Sequence, residues 1–284
     1  VEKAMQIEVP ERAKVIRVLM DELTRIASHE LWWGAMAMDL GAFTPFFHAF
    51  RERETITDIM EETCGARLTM NYMVPGGVMA DIHPDFQKRV RNFIRLYKSK
   101  FDEYNEMVTG NIIFQNRMKG VGYLSPEDAV SFGCSGPTAR GSGVRSDIRK
   151  VAPYEIYDKL DFEEILETGG DSLARYMVRI REMNQSVRII EQLIDNIPEG
   201  DFQAKTKAVL KLPKGEFYTR VETARGDFGV YIVSEGGTTP YRIKFRSPGF
   251  SNLSALDHMA RGSKLGDLVA MMGTLDLVIP DIDR

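Results

Sequence analysis

Cysteine is almost missing from this chain: Cys64 and Cys134 stand alone in 284 residues, far apart and with no CxxC. That excludes a cysteine-rich zinc or iron–sulfur site within the chain and suits a reducing compartment. Histidine is scarce too, and the four, at positions 29, 48, 83 and 258, lack metal-ligand spacing. No apolar run approaches the roughly 18–20 residues of a membrane span, and no secretory signal is visible. There is no Walker loop, no GxGxxG after a strand and no HExxH. A net charge of −4 gives no reason to expect nucleic acid as a partner. Internal repeats, low-complexity linkers and a clear domain boundary are absent as well, so residues 1–284 read as a single domain. The chain starts at Val1 rather than Met, beside a helical pattern, and reads as an N-terminally truncated fragment or a processed product.

What is present is an ordinary apolar and charged content and a high count of 15 Met, which suits adaptable packing or contacts with greasy ligands. The most telling stretch is 29–54, HELWWGAMAMDLGAFTPFFHAFRERE. Between Glu30 and Arg51 it is almost wholly apolar, aromatic or small, with the carboxylate of Asp39 in its middle. Burial is the expectation for such a run, and an unpaired buried carboxylate is costly. Asp39 is therefore expected to have a cationic or hydrogen-bonding partner, to carry a raised pKa, or to face a polar cavity. Gly34, Ala35, Ala37, Gly41 and Ala42 would let backbone or a flat ligand approach. Thr44-Pro45 breaks the helical pattern, and 51–54 returns to solvent or to an ion-pair network.

Along the chain, Pro10-Glu11 opens a helix with Ile16, Leu19, Leu23 and Ile26 on one face, running on into 29–38. A short helix follows over 56–64, ending at Gly65, and YMVPGGV (72–78) is a turn. The clearest helix starts at His83-Pro84-Asp85 and carries Phe86, Val90, Phe93, Tyr97, Phe101, Tyr104 and Val108, with a solvated basic face opposite. Ser125-Pro126-Glu127-Asp128 caps a short helix closed by Gly133. The loop 136–149, GPTARGSGVRSDIR, can form an anion nest or simply tie helices together through ion pairs. A second long helix follows Asp171-Ser172, with Leu173, Met177, Ile180, Val187, Ile190 and Ile194 buried and Arg175, Arg179, Arg181 and Glu182 elsewhere on its circumference. Strands are expected over 217–221, 229–233 and 241–245, then two helical stretches (253–260 and 265–272) and a strand-like 275–279. The architecture is α+β, mainly helical: a helical body over 1–200, then a small antiparallel sheet and C-terminal segment over 201–284.

The tetrapeptide Gly170-Asp171-Ser172-Leu173 spells the GDSL of a lipase/esterase family. Here it caps a helix in mid-chain, and the only late histidine is His258 after Asp257. A nucleophile without its base is no catalytic site.

Several ordered runs carry a resemblance: VPERAKVIRVLMDELTRIASH, AMDLGAFTPFF with FRERE, CGAR, PGGV, FGCSGPTARGSG, SDIRKVAPYEIYD, GDSLARYMVRIREMNQS, GDFGVYIVS, YRIKFRSPGF and GTLDLVIPDIDR. Over essentially its whole length the chain resembles the 49 kDa (D-type) quinone-site subunit family of bacterial NADH-quinone oxidoreductase, respiratory complex I. The resemblance implies the [NiFe]-hydrogenase large-subunit fold without its metal. It implies a peripheral position on the cytoplasmic face of the bacterial inner membrane. The implied partners are the small subunit bearing the terminal [4Fe-4S] cluster, the C-type subunit and the quinone-site subunit of the membrane arm. Quinone would be the substrate, reduced between this chain and the cluster subunit to drive proton pumping, and no cofactor would be bound by this chain itself.

By the same resemblance, Asp39 matches the family aspartate that pairs with a histidine near the quinone headgroup. Asp276, Val278 and Arg284 match quinone-cavity positions, and Arg140 and Arg149 match arginines read as structural or interface residues. In a hydrogenase the C-terminal segment would carry a second CxxC for nickel, and it has none. The chain departs from the family in three places. The histidine and tyrosine that bond the quinone headgroup would lie upstream of Val1. Val74 stands where arginine often precedes PGG, and 202–217 is shorter than in many relatives. With part of the site elsewhere, the isolated chain is expected to be inactive. The alternatives are a large-subunit relative in a membrane-bound hydrogenase or ferredoxin-linked complex, and a purely structural adaptor.

Overall fold

The computed structural model describes residues 1–283. After a single helical turn, α1 (Glu2–Met5), α2 (Glu11–Asp39) and α3 (Thr44–Cys64) form a helical hairpin. β1 (Met73–Val74) and β2 (Gly77–Val78) pair antiparallel. α4 (Phe86–Lys98), α5 (Lys100–Tyr104) and a π-type turn over Asn105–Thr109 follow end to end. The short helices α6 (Ile112–Met118), α7 (Pro126–Ser131), α8 (Gly136–Arg140) and α9 (Ile148–Val151) lead to α10 (Ser172–Ile194). β3 (Gly215–Thr223), β4 (Gly226–Ser234) and β5 (Arg242–Arg246) make an antiparallel sheet in chain order. Last come α11 (Pro248–Ser254), α12 (Leu256–Ala260), α13 (Leu265–Leu275) and α14 (Ile279–Ile282).

The body is organised by α2 and α10, which lie antiparallel in the main core. Glu22, Arg25, His29 and Trp32 recur at steps of three and four along α2, as do Arg175, Arg179, Glu182 and Ser186 along α10. Such steps place each set on one face of its helix. All eight are buried. Going up α2 and down α10 they meet in order. Ser186 Oγ donates to Glu22 at 2.6 Å, His29 Nε2 sits 3.1 Å from Glu182, and the Arg179 guanidinium lies 4.8 Å from the Trp32 ring centre. Apolar residues around this stripe, among them Ile16, Leu19, Leu23, Ile26, Ile180, Val187 and Ile190, exclude water from it. So α10 is buried nearly all the way round; the apolar face expected from periodicity is only part of what it hides.

Other outcomes differ from the sequence expectation for local reasons. Thr44-Pro45 starts α3 rather than merely ending a pattern, because proline costs nothing in a first helical turn. The PGGV turn is a true hairpin, against which 202–204 lies through an isolated Gly77–Gln203 bridge. Gly77 has φ +155°, and a Cβ there would stand 2.2 Å from the Phe202 carbonyl oxygen, so no side chain fits. The segment 275–279 is not a strand: α13 runs to Leu275 and the chain turns left-handed at Asp276 before α14. The three expected strands, the Ser125 cap, the Gly65 stop and the solvated basic face of α4 are all observed.

Glu30, one residue beyond His29, faces another way. It is 1% exposed, accepts from Tyr104 Oη at 2.9 Å, and burial pushes it up to about 8. Its ordinary value is 4.5, so the stability it contributes is complete below that pH and is lost as pH rises toward 8. Glu30→Gln should flatten this decline and make the protein more stable at pH 8–9 by on the order of a few kcal/mol, read from urea midpoints across pH. Arg149 faces Glu22 and Asp147 with all three buried. Arg149→Met should destabilise by about 3–5 kcal/mol, because it leaves buried Asp147 without its cation and takes one of two from Glu22, which keeps Arg25; urea unfolding at pH 7 checks it.

Candidate functional site

Asp39 does not sit as the sequence suggested. It is the last residue of α2 and is exposed, without a salt-bridge partner among the described residues. The helix ends there because Gly41, at φ +94°, reverses the chain, with Gly41 N and Ala42 N donating back to Met38 O and Ala37 O. The apolar run splits at this point. Trp32, Trp33, Met36 and Ala37 are core, whereas Phe43 and Phe47 are 63% and 69% exposed. The expectation of burial failed because the run comes to the surface at the bend between α2 and α3, where 41–44 are all exposed, before Pro45 and Ala49 return to the core. The charged 51–54 segment does enter an ion-pair network, with Arg51 on Glu52 and Arg67 on Glu54.

The C-terminal positions lie close by in the fold. Met36, one turn before Asp39, packs on Gly273, one turn before Asp276, so closely that a Cβ on Gly273 would lie 3.1 Å from Met36 Cγ. Trp32 Nε1 donates to Gly273 O at 2.6 Å. Arg179 Nη1 donates to Thr274 O at 2.8 Å and Arg175 Nε to Thr274 Oγ1 at 3.2 Å. Arg225, in the turn between β3 and β4, donates from Nε to Asp276 O at 3.1 Å and pairs with Asp276 Oδ1 at 3.2 Å. Trp32, Arg179 and Arg225 thus supply donors to the carbonyls of Gly273, Thr274 and Asp276 at the end of α13, where intrahelical partners run out. They also hold Asp276 at φ +56°, a left-handed conformation costing ~1–2 kcal/mol for a residue with a Cβ. Val278 is half-buried as the N-cap of α14, and Arg284 lies outside the described residues. No hydrogen bond joins Asp39 to Asp276 among the described residues, but the structure brings their two elements into contact.

Arg175 and Arg179 are both fully buried, and among the described residues neither has a carboxylate in contact. Burial draws both guanidinium groups down to about 10. Nε and Nη2 of Arg179, Oδ2 of Asp276 and Nδ1 of His29 are buried without a partner among the described residues.

Arg140 and Arg149 are ion-pair ties inside the protein. Arg140 bridges Glu182 on α10 and Glu222 on β3, with Nε–Oε1 2.9 Å and Nη1–Oε1 2.8 Å. Arg149 bridges Glu22 and Asp147 at 3.0 Å and 2.7 Å. Against the penalty of burial, Arg140 and then His29 hold Glu182 at about 2. Burial pulls the His29 imidazole down in spite of Glu182 beside it, and burial lifts Glu222. At 0% and 1% exposure the two arginines offer nothing to an anion or to a partner surface. The 136–149 loop ties elements together through backbone amides as well: Ser146 N and Asp147 N donate to Glu164 Oε1 at 2.8 and 3.0 Å, and Ile148 N donates to Glu222 Oε2 at 3.1 Å, so the carboxylates these amides hold are the protein's own. The loop is held against the β3–β4 turn by Gly136, where a Cβ would meet Arg225 O and Gly226 Cα at 2.5 Å.

A cleft of about 790 Å³ opens between α2, the PGGV hairpin and the β3–β4 sheet, and Asp21, Arg25, Val74, Tyr154 and Arg225 line it. Burial and the neighbouring Glu22 push Asp21 up to about 7. Arg225 thus touches both this cleft and the Asp276 turn. Ser172 of the GDSL sequence is buried and accepts from Arg175 at 3.1 Å, a structural contact with no base at hand. Burial raises both cysteine thiols to about 11, and no group of three His, Cys, Asp or Glu that could hold a metal occurs among the described residues. Among the described residues no helix is long and apolar enough to cross a membrane.

The grip of Arg175, Arg179, Trp32 and Arg225 on the C-terminal turn was not anticipated. Its sequence signal was the 175, 179, 182 spacing, which places three charges on one face of a helix flanked by apolar residues. Arg225 had none, since a turn arginine is ordinary.

Residues 39–284 match the family model for the 49 kDa subunit of respiratory-chain NADH dehydrogenase. The chain is 56% identical over its whole length to the C/D subunit of NADH-quinone oxidoreductase from Bacteroides thetaiotaomicron, covering 54% of that protein. It is 47% identical to a D-type NADH-quinone oxidoreductase subunit of Solibacter usitatus and 48% identical to that of Desulfotalea psychrophila, in each case over all of this chain and 77% of the relative. It thus spans about half the length of the C/D relatives and about three quarters of the D-type relatives. On these matches, the chain belongs to the family of the 49 kDa, or D, subunit of respiratory-chain NADH dehydrogenase.

Proposed function

We propose that this chain helps form the quinone-reduction site of a proton-pumping NADH:quinone oxidoreductase, against a subunit that carries the terminal [4Fe-4S] cluster. The observation that carries this reading is the open apolar end of α2. There the exposed acid Asp39 stands beside Phe43 and Phe47, a surface that a soluble monomer would rarely leave bare. The outer face of α13 and α14 adds Leu265, Met272 and Ile279, all exposed. A greasy ligand with a polar head fits an apolar wall bearing a few polar groups. In this reading Asp39, Asp276 and Val278 border the headgroup end, and Arg284 is assigned to the cavity on the family resemblance alone. Arg140 and Arg149 hold the scaffold.

The further partners would be the C-type subunit and the quinone-site subunit of the membrane arm, with the assembly peripheral to the cytoplasmic face of the inner membrane. The two antiparallel central helices with a small sheet at their side are compatible with an [NiFe]-hydrogenase large-subunit fold that has lost its metal. The names of the relatives give no support to a hydrogenase or ferredoxin-linked assignment. Residues 1–284 span only about half the length of the C/D relatives, and on this reading they alone should neither oxidise NADH nor reduce quinone.

Asp39→Asn in the intact complex tests the reading. NADH-to-quinone turnover should fall roughly tenfold or more, with NADH oxidation by an artificial acceptor and assembly on native gels unchanged. An unchanged quinone rate would remove Asp39 from the site. Failed assembly would make it a structural residue, as a pure adaptor requires.

A further inference from the structure

We propose that Arg179 is a positioning residue of the quinone site: from the core it sets the place of the Asp276 turn. The proposal rests on the reading of Asp276 as a cavity residue. Arg179 is fully buried on α10, within the stripe that packs against α2. Its Nη1 donates to Thr274 O at 2.8 Å, two residues before Asp276. Its guanidinium lies over Trp32, which donates to Gly273 O, so successive carbonyls at the end of α13 are held by a stacked pair. Arg225 completes the grip from the other side on Asp276 itself.

Arg175 is a poorer candidate for this role. Its donors go to Gly122, Gly170, Ser172 and Thr274, so it ties several segments of the fold together. Arg179 makes far fewer ties. Apart from Arg175 O on its own helix, its only hydrogen bond among the described residues reaches the α13 end, and two of its nitrogens have no partner there. A buried cation so lightly used for folding is expensive if stability is all it serves. The nearby carboxylate that most favours its charge is Asp276, which has an unpartnered oxygen of its own. Backbone held in a left-handed conformation by such over-determination is what a functional turn looks like.

The test is made in the assembled complex with Arg179→Gln and Arg179→Lys, alongside Asp276→Asn, using a short-chain quinone. Arg179→Gln should raise the KM for quinone about tenfold with a smaller effect on kcat. Artificial-acceptor activity and native-gel assembly should stay as in the wild type. Arg179→Lys, which keeps the cation and one donor for Thr274 O, should recover most of the affinity. If Asp276→Asn impairs quinone reduction while both Arg179 variants behave as wild type, the positioning role is wrong. It is also wrong if kcat falls with KM unchanged, or if neither Arg179 variant assembles. If Asp276→Asn is itself silent, the quinone-site reading of this turn fails, and the proposal about Arg179 falls with it.

Discussion

The pairing of α2 with α10 through charged side chains is the constraint on which the rest of the structure depends. Two purely apolar helices can slide or rotate against each other at modest cost, whereas charges placed along both faces admit one register. Glu22 meets Ser186 and His29 meets Glu182, and a shift by one turn would strand each of them in a dry interior. Partners from other elements close the network: Arg140 at the end of α8, Arg149 on α9 and Glu222 on β3. Such an arrangement adds little to net stability compared with an apolar core of equal volume. Its gain is in specificity, since an ion pair satisfied by three elements fixes where all three lie.

The same stripe continues past its charged pairs and becomes the floor of the candidate site. Beyond Glu182 the α10 face carries Arg179 and Arg175, with no acid opposite on α2, and their donors go instead to carbonyls and hydroxyls of other segments, the C-terminal one among them. The interior of the body and the Asp276 turn are thus one mechanical unit. Asp39 differs, because it stands at a helix end where the core has run out and Phe43 and Phe47 face outward. On the proposed reading, one wall of the site is tied into the core by hydrogen bonds and the other is an exposed apolar edge that would face another surface.

Much of this was legible in the residues. Periodicity found α2, α4 and α10, and cap residues found the ends of α3 and α7, because those signals are local and short-range physics decides them. The three strands were visible for the same reason. What could not be read was the third dimension of the polar residues. Nothing in HELWWGAMAMDLG says where the core stops, so Asp39 looked buried. The spacing of Arg175, Arg179 and Glu182 puts three charges on one face, but that alone does not say the face points inward, since a helix this buried hides its polar stripe among apolar neighbours. The strand-like 275–279 misled because apolar, β-branched composition cannot show that buried donors hold a helix end at Asp276.

The β3–β4 hairpin carries Glu222 and Arg225 three positions apart across a two-residue turn, one on Arg140 in the core and the other on Asp276. That spacing leaves no slack for insertions or deletions. One residue added at 224–225 would swing Arg225 off the C-terminal turn, and a slip in β3 would turn Glu222 to the opposite face of the sheet. The exposed stretch 235–239 after β4 touches neither contact. Length changes accumulating over evolutionary drift therefore have a permitted place at 235–239 and a forbidden one at 224–225, and the tip of this hairpin works as a fixed gauge between the core and the site.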